Sequence, residues 1–220
     1  MVHHSSSEPP DCCSLCGHRE WEFYHRDSRR SYWECLHCHL VQVPPDKYLS
    51  ADAEKAEYDL HDNNPDDSGY RRFLTPAAEA VKTYCPLPAR VLDFGCGPGP
   101  ALAAMLSEAG YETVLYDWFY YPDETALSGA YEAITATEVV EHLHAPGEWL
   151  HRLWECLQPG GVLVVQTKRV ISQEHFRDWH YIRDNTHVAF FSIATLSWLA
   201  RRWSATLRLT RPDVAVFHKP

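Results

Sequence analysis

Two rhythms of apolar and polar positions divide the chain. Early on the rhythm is short. Trp21, Phe23 and His25 alternate with Glu22 and Tyr24, and Arg30, Tyr32 and Glu34 alternate with Ser31 and Trp33. Alternation puts successive side chains on opposite faces of a strand, and Asp27-Ser28 supplies a turn between the two runs, so a β-hairpin is predicted. Pro44-Pro45-Asp46 closes this stretch. A polar, acidic stretch follows, with a short helix predicted within Tyr48 to Leu60 and a loop over Asp62 to Gly69.

From Tyr70 the period lengthens. Phe73, Leu74, Ala77, Ala78 and Val81 share one face of a predicted helix that Pro86 and Pro88 end. A strand leads into Gly95-x-Gly97-x-Gly99, and a helix over Ala101 to Ala109 stops at Gly110. A second strand, Glu112 to Tyr116, ends at Asp117. Further helices span Pro146 to Leu157 (Trp149, Leu150, Leu153 and Leu157 inward) and Ser192 to Trp203 (Ile193, Leu196 and Leu199 inward). Ala205 to Leu209 and Val214 to His218 form a closing antiparallel pair around Arg211-Pro212-Asp213. The fold class expected is α/β: a doubly wound, mostly parallel sheet with an antiparallel last strand, preceded by a small module. The divisions are 1–9 as a flexible tail, 10–45 as the module, 46–68 as a linker or lid, and 69–220 as the larger domain.

Cysteine usage gives the module its chemistry. Five of the eight cysteines lie in the first 38 residues, with Cys13-x-x-Cys16 and Cys35-x-x-Cys38 separated by 18 residues. Two such turns direct four thiolates at one point, the donor set of a structural zinc site. A hairpin this short buries too little apolar surface to fold alone, and a metal supplies the missing free energy. Cys12 competes with Cys13 for the first position. Four sulfur ligands leave no open coordination position, so this zinc is given no catalytic role.

Bulk properties narrow the partners. A net charge of −10 over 220 residues repels phosphate backbones and disfavours generic nucleic-acid binding. No apolar run is long enough to span a bilayer, and no signal-peptide core is present, so no membrane partner and, by default, a cytoplasmic location are expected.

The strand, glycine-rich turn, helix, strand and acidic residue follow the nucleotide-binding logic of a doubly wound sheet. Glycines let a ligand approach the backbone, and a carboxylate at the end of the second strand accepts hydrogen bonds from ribose hydroxyls. The glycine spacing departs from the dinucleotide fingerprint, which disfavours an NAD-linked dehydrogenase. Val91-Leu-Asp93-Phe-Gly95-Cys96-Gly97-Pro-Gly99 resembles the first motif of the class I S-adenosylmethionine-dependent methyltransferases. Ile134-Thr-Ala-Thr137-Glu138-Val-Val-Glu141-His142 and Leu157-Gln-Pro159-Gly160-Gly161 resemble the family's fourth strand and its turn into the fifth. The resemblance covers residues 70–220. It implies S-adenosyl-L-methionine against the backbone of Gly95, Cys96, Gly97 and Gly99. Asp93 then fixes the turn, Asp117 holds the ribose, Trp118 or Phe119 covers the adenine, and Thr137 lies at the edge of the cofactor site. Only 13 residues separate Asp117 from Tyr131, so the usual third strand and its helix have little room.

Glu138, Glu141 and His142 would share a face if the chain is helical there, and with His187 they make a divalent-metal donor set, suited to Mg²⁺ or a similar ion. The pattern resembles that of metal-dependent O-methyltransferases, in which a metal lowers the pKa of a substrate hydroxyl. Without metal, His142, His180 or His187 serves as the base. The function expected is methyl transfer to an oxygen of a small-molecule acceptor. The alternatives are an RNA methyltransferase that grips its substrate through the zinc hairpin, and an inactive methyltransferase-like scaffold.

Overall fold

The computed structural model describes residues 8–60 and 63–220. Most of the expected N-terminal tail and Asp62 of the expected loop lie outside the described residues.

The opening hairpin pairs β1 (Trp21–Arg26) antiparallel with β2 (Ser31–Cys35). Then come β3 (Val41–Gln42), a 3-10 turn at Pro45–Lys47, and helix α1 (Ala51–Tyr58), capped by the Ser50 side chain. Helix α2 (Ser68–Tyr84) starts two residues before the expected Tyr70, because the Asp67 carboxylate accepts from the Tyr70 N–H at 2.6 Å. The larger domain continues with β4 (Arg90–Phe94), α3 (Ala101–Glu108), β5 (Glu112–Tyr116), β6 (Tyr131–Thr137), α4 (Pro146–Cys156) and β7 (Leu157–Gln166). It ends with α5 (Gln173–Arg177), β8 (Ala189–Phe190), α6 (Ile193–Trp203), β9 (Thr206–Leu209) and β10 (Val214–His218).

Six strands form the main sheet in the order β5-β4-β6-β7-β10-β9. The first four are mutually parallel, and β10 runs antiparallel to both its neighbours. Its central strands are buried on both faces, which is why they read as continuous apolar runs rather than alternating ones. Val91, Ala133, Val162, Val164 and Val216 pack beneath α2 and α3. Their neighbours Leu92, Ile134, Leu163, Val165 and Phe217 face α4 and α6. The chain winds outward from β4 to β5, then crosses to β6 on the other side. That reversal opens a crevice at the carboxyl end of β4.

Two residues expected in the core are exposed. Ile193 is 54% exposed, as the first residue of α6, before the helix seats against the sheet. Phe73 is 38% exposed, because its ring borders a cavity instead of a packed layer. The shortage of room after Asp117 is visible: the chain makes an Asp117–Tyr121 bridge and a 3-10 turn at Glu124–Ser128. No strand lies outside β5 among the described residues.

The hairpin is joined to the larger domain through a second sheet, ordered β1-β2-β3-β8, in which Val41 pairs with Phe190 and Gln42 with Ala189. Its first cysteine turn also sits on the start of α4, where the Gly147 N–H donates to the Ser14 carbonyl at 3.1 Å. A Cβ on Gly147 would stand 2.4 Å from the Leu15 carbonyl oxygen, so only glycine permits that seat.

Candidate active site

Gly95 and Gly97 turn the chain at the end of β4 with φ of 73° and 65°, a left-handed conformation that disfavours side chains. The Asp117 carboxylate ties this turn to the end of β5. One oxygen accepts from the Gly97 N–H at 2.9 Å, and the other accepts from the N–H groups of Phe119 at 2.9 Å and Tyr120 at 3.1 Å. Gly99 faces Asn63 instead of the cavity, since a Cβ there would lie 1.7 Å from the Asn63 carbonyl oxygen.

Asp93 is buried under the turn, where the Thr135 hydroxyl donates to it at 2.8 Å. Burial pushes its pKa up to about 6, against the opposing pull of that hydrogen bond. A raised carboxyl pKa means the folded chain takes up a proton more readily than the unfolded one. The resulting destabilisation sets in as pH rises past the unfolded value and is complete above about 6. Asp93→Asn is therefore expected to raise the thermal midpoint at pH 8 and to leave it nearly unchanged at pH 4, as read by calorimetry.

A cavity of about 760 Å³ opens beside the turn. Asp93, Gly95, Cys96, Gly97, Asp117, Trp118 and Thr137, all candidates from the sequence, line it. Helix α1 and the start of α2 wall it with Glu54, Tyr58 and Tyr70, which sequence reasoning did not single out, and with Phe73, which it placed in the core. At the far end stand Glu138, His142, Asp184 and His187.

That end is built by irregular backbone. The helix expected from Glu138 does not form: Glu138 sits at φ 52°, and only a 3-10 turn, Val140–His142, follows. Even so, ligand atoms of Glu141, His142 and His187 lie within 4.8 Å of one another, with Glu138 outside the group. Glu141 is fully buried, accepts a short hydrogen bond from the Tyr181 hydroxyl, and keeps one oxygen without a partner. Burial raises its pKa, opposed by His187 and the Tyr181 hydrogen bond. Burial and then the nearby Glu141 charge push Glu138 up to about 8. The His187 Nδ1–H donates to the Tyr181 carbonyl at 2.7 Å. That bond turns Nε2, which lies 3.7 Å from an Asp184 carboxylate oxygen, toward the cavity as the nitrogen available to act as base or ligand. His180 is not brought to this place. It is exposed and hydrogen-bonds Lys168.

The front cysteines converge in two equivalent knuckles. The Gly17 N–H donates to the Cys13 carbonyl at 2.8 Å and the His39 N–H to the Cys35 carbonyl at 2.9 Å; Gly17 and His39 are both left-handed. The sulfurs of Cys13 and Cys38 are 3.5 Å apart, as are those of Cys16 and Cys35, and all four lie within 4.8 Å of one another. Cys12 is exposed, away from this group, and Cys13 takes the position for which the two competed.

Tyr181, Tyr58, Tyr70, Glu54 and Asp184 left no periodic or motif signal. Tyr181 stood inside the aromatic stretch after β7 with nothing to separate it from its neighbours.

Sheet order, winding and the glycine crevice define a doubly wound α/β protein built to hold a nucleoside-containing ligand. Residues 67–204 match the model of a methyltransferase domain, and the chain belongs to that family. It is 33% identical over 96 residues to trans-aconitate 2-methyltransferase of Deinococcus radiodurans, an alignment covering 36% of this chain and 37% of that relative. The chain thus matches little more than a third of that protein's length. Its fold is similar to that of 1,6-didemethyltoxoflavin-N1-methyltransferase from Burkholderia thailandensis, at a TM-score of 0.51 and 18% identity, covering 90% of this chain and 99% of the other. No described helix is long and apolar enough to cross a membrane.

Proposed function

We propose that the protein transfers the methyl group of S-adenosyl-L-methionine to an oxygen of a small-molecule acceptor. The observation that carries this reading is the joining of Asp117 to the Gly97 backbone at the rim of the 760 Å³ cavity. The cofactor supplies an electrophilic methyl on a sulfonium. The chain's task is then to orient the two reactants and take up one proton. Gly95 to Gly97 present bare backbone, Asp117 offers carboxylate oxygens to ribose hydroxyls, and Trp118, 61% exposed at the rim, can lie over the base.

Acceptor chemistry follows from the far wall. Among the described residues, no lysine or arginine lines the cavity, while Glu54, Glu138 and Asp184 do. Such a wall suits a neutral or cationic acceptor and disfavours a polycarboxylate like the one in the Deinococcus relative's name. His187 Nε2 takes the acceptor's proton, held in the right tautomer by Tyr181. Glu141, His142 and His187 also offer one carboxylate and two imidazoles to a divalent cation, a donor set that suits Mn²⁺, Fe²⁺ or Zn²⁺ better than the Mg²⁺ expected from the sequence, and one buried carboxylate oxygen lacks a hydrogen-bond partner. A cation held by these residues would lower the pKa of an acceptor hydroxyl.

In the front module, Zn–S bonds of about 2.3 Å place tetrahedral sulfurs about 3.8 Å apart. The sulfur separations of 3.5 Å fit that requirement, and we assign Cys13, Cys16, Cys35 and Cys38 to a structural zinc. Two of the module's arginines, Arg29 and Arg30, support a small acceptor over RNA. Arg30 is buried, and Arg29 spends its guanidinium on the Arg183 carbonyl and the Asn185 side chain.

The test is calorimetric titration with S-adenosylmethionine. Asp117→Ala is expected to weaken binding about 10- to 100-fold, the loss of charged hydrogen bonds. A wild-type chain that binds no cofactor would end the methyltransferase reading.

A further inference from the structure

The tip of the front hairpin reaches the segment that carries His187. Arg30 is 4% exposed, and its five N–H donors are all engaged. Nε donates to the Tyr32 hydroxyl at 3.1 Å. One terminal nitrogen donates to the carbonyls of Asn185 at 3.1 Å and His187 at 2.9 Å. The other donates to the carbonyls of Ile182 at 2.9 Å and Asp184 at 2.7 Å. The hairpin turn that aims this side chain is itself fixed: the Asp27 carboxylate accepts from the N–H groups of Arg29 and Arg30 and from the Tyr32 hydroxyl.

We propose that Arg30 is a positioning residue for His187, so that the cysteine module acts as a clamp on the active-site segment. This rests on the role given to His187 above. Four backbone carbonyls curl around one guanidinium, and the curl is the path of the chain from Ile182 to His187. Immediately beyond, the Val43 N–H donates to the Val188 carbonyl at 3.0 Å, and the Val188 N–H donates to the Glu141 carbonyl at 2.8 Å. His187 is thus held on three sides: its carbonyl by Arg30, its ring by the Tyr181 carbonyl, and the next residue by Glu141 and by Val43, just after β3. Arg29 adds a second grip, donating to the carbonyls of Arg183 at 2.8 Å and Ile182 at 3.1 Å.

Lysine cannot replace this arrangement. Its ammonium has three donors around one point, whereas the planar guanidinium spans four carbonyls in a fixed fork. With lysine the segment keeps a nearby positive charge but loses the fork that sets its curvature. Displacement of a reacting group by about 1 Å can cost about a hundredfold in rate, so a loosened segment impairs transfer without touching the cofactor end of the cavity.

The experiment compares wild type, Arg30→Lys and Arg29→Ala as full chains. It reads amide hydrogen exchange by peptide, calorimetric affinity for S-adenosylhomocysteine, and transfer of label from tritiated S-adenosylmethionine to a fractionated cell extract. In Arg30→Lys, exchange over 180–188 is expected to rise about tenfold or more while α3 keeps wild-type protection. Affinity for S-adenosylhomocysteine stays within about twofold, and transfer falls about 10- to 100-fold. Arg29→Ala, whose side chain is partly exposed, moves the same readouts less and covers the case in which Arg30→Lys does not fold. Unchanged exchange over 180–188, or a rise spread equally over the main sheet, overturns the clamp. Full transfer by Arg30→Lys overturns it as well. Failure of the wild type to bind S-adenosylhomocysteine defeats the methyltransferase reading instead, and the exchange measurement still decides whether Arg30 holds the segment.

Discussion

Serine in place of Cys38 is expected to unravel the front module and to cost at least about 3 kcal/mol of stability, a fall of roughly 6–12 °C in thermal midpoint for a chain of this size. Cys35 and Cys38 are fully buried and Cys13 nearly so. Four thiols crowded together share their protons poorly, and mutual hydrogen bonds pull the Cys16 pKa down while pushing that of Cys38 up. A tetrahedral cation resolves that frustration, and a hydroxyl at one corner does not restore it. The companion measurement is metal content by mass spectrometry: about one zinc per wild-type chain and a small fraction of that in Cys38→Ser. A wild-type protein purified without zinc and with an unchanged midpoint would refute the assignment.

His187→Ala carries the largest expected loss of activity, about 10²- to 10⁴-fold in transfer, with affinity for S-adenosylmethionine preserved. The preserved affinity separates a catalytic role from a binding one. Glu141→Gln distinguishes the two ways His187 can work. If a divalent cation is held there, loss of the carboxylate charge lowers metal affinity, and added Mn²⁺ or Fe²⁺ shifts the rate. If His187 acts alone as the base, Glu141→Gln keeps most of the activity and added metal changes nothing. Wild-type transfer by His187→Ala would remove this histidine from the mechanism in either case.

The architecture was readable because its signals are local. A glycine turn between two strands, a carboxylate at the end of the second, and a Pro-Gly-Gly turn each occupy a few consecutive residues. Backbone sterics and hydrogen bonding give them one main outcome. The glycine turn and its tie to Asp117 were legible for the same reason, as was the shortage of room after Asp117. The acceptor end was not. Glu138 takes a left-handed conformation and breaks the helix that the spacing of Glu138, Glu141 and His142 invites. What joins Glu141 to His187 is Tyr181, which lies 40 positions after Glu141 in the chain. Arg30 stood out only as one position in the hairpin's alternation, because its four carbonyl partners lie about 150 positions away. Backbone carbonyls leave no mark on a sequence. The wall contributed by α1 was hidden likewise, since its apolar pattern is weak and its buried residue is Glu54.

The pairing of Val41 with Phe190 has a consequence for the order in which the molecule is made. The hairpin leaves the ribosome about 150 residues before the strand that completes its sheet. During that interval the nascent hairpin exposes an unpaired edge, and contacts of such long sequence separation form slowly. Early capture of a metal ion by the two knuckles would hold that edge in shape until its late partner arrives.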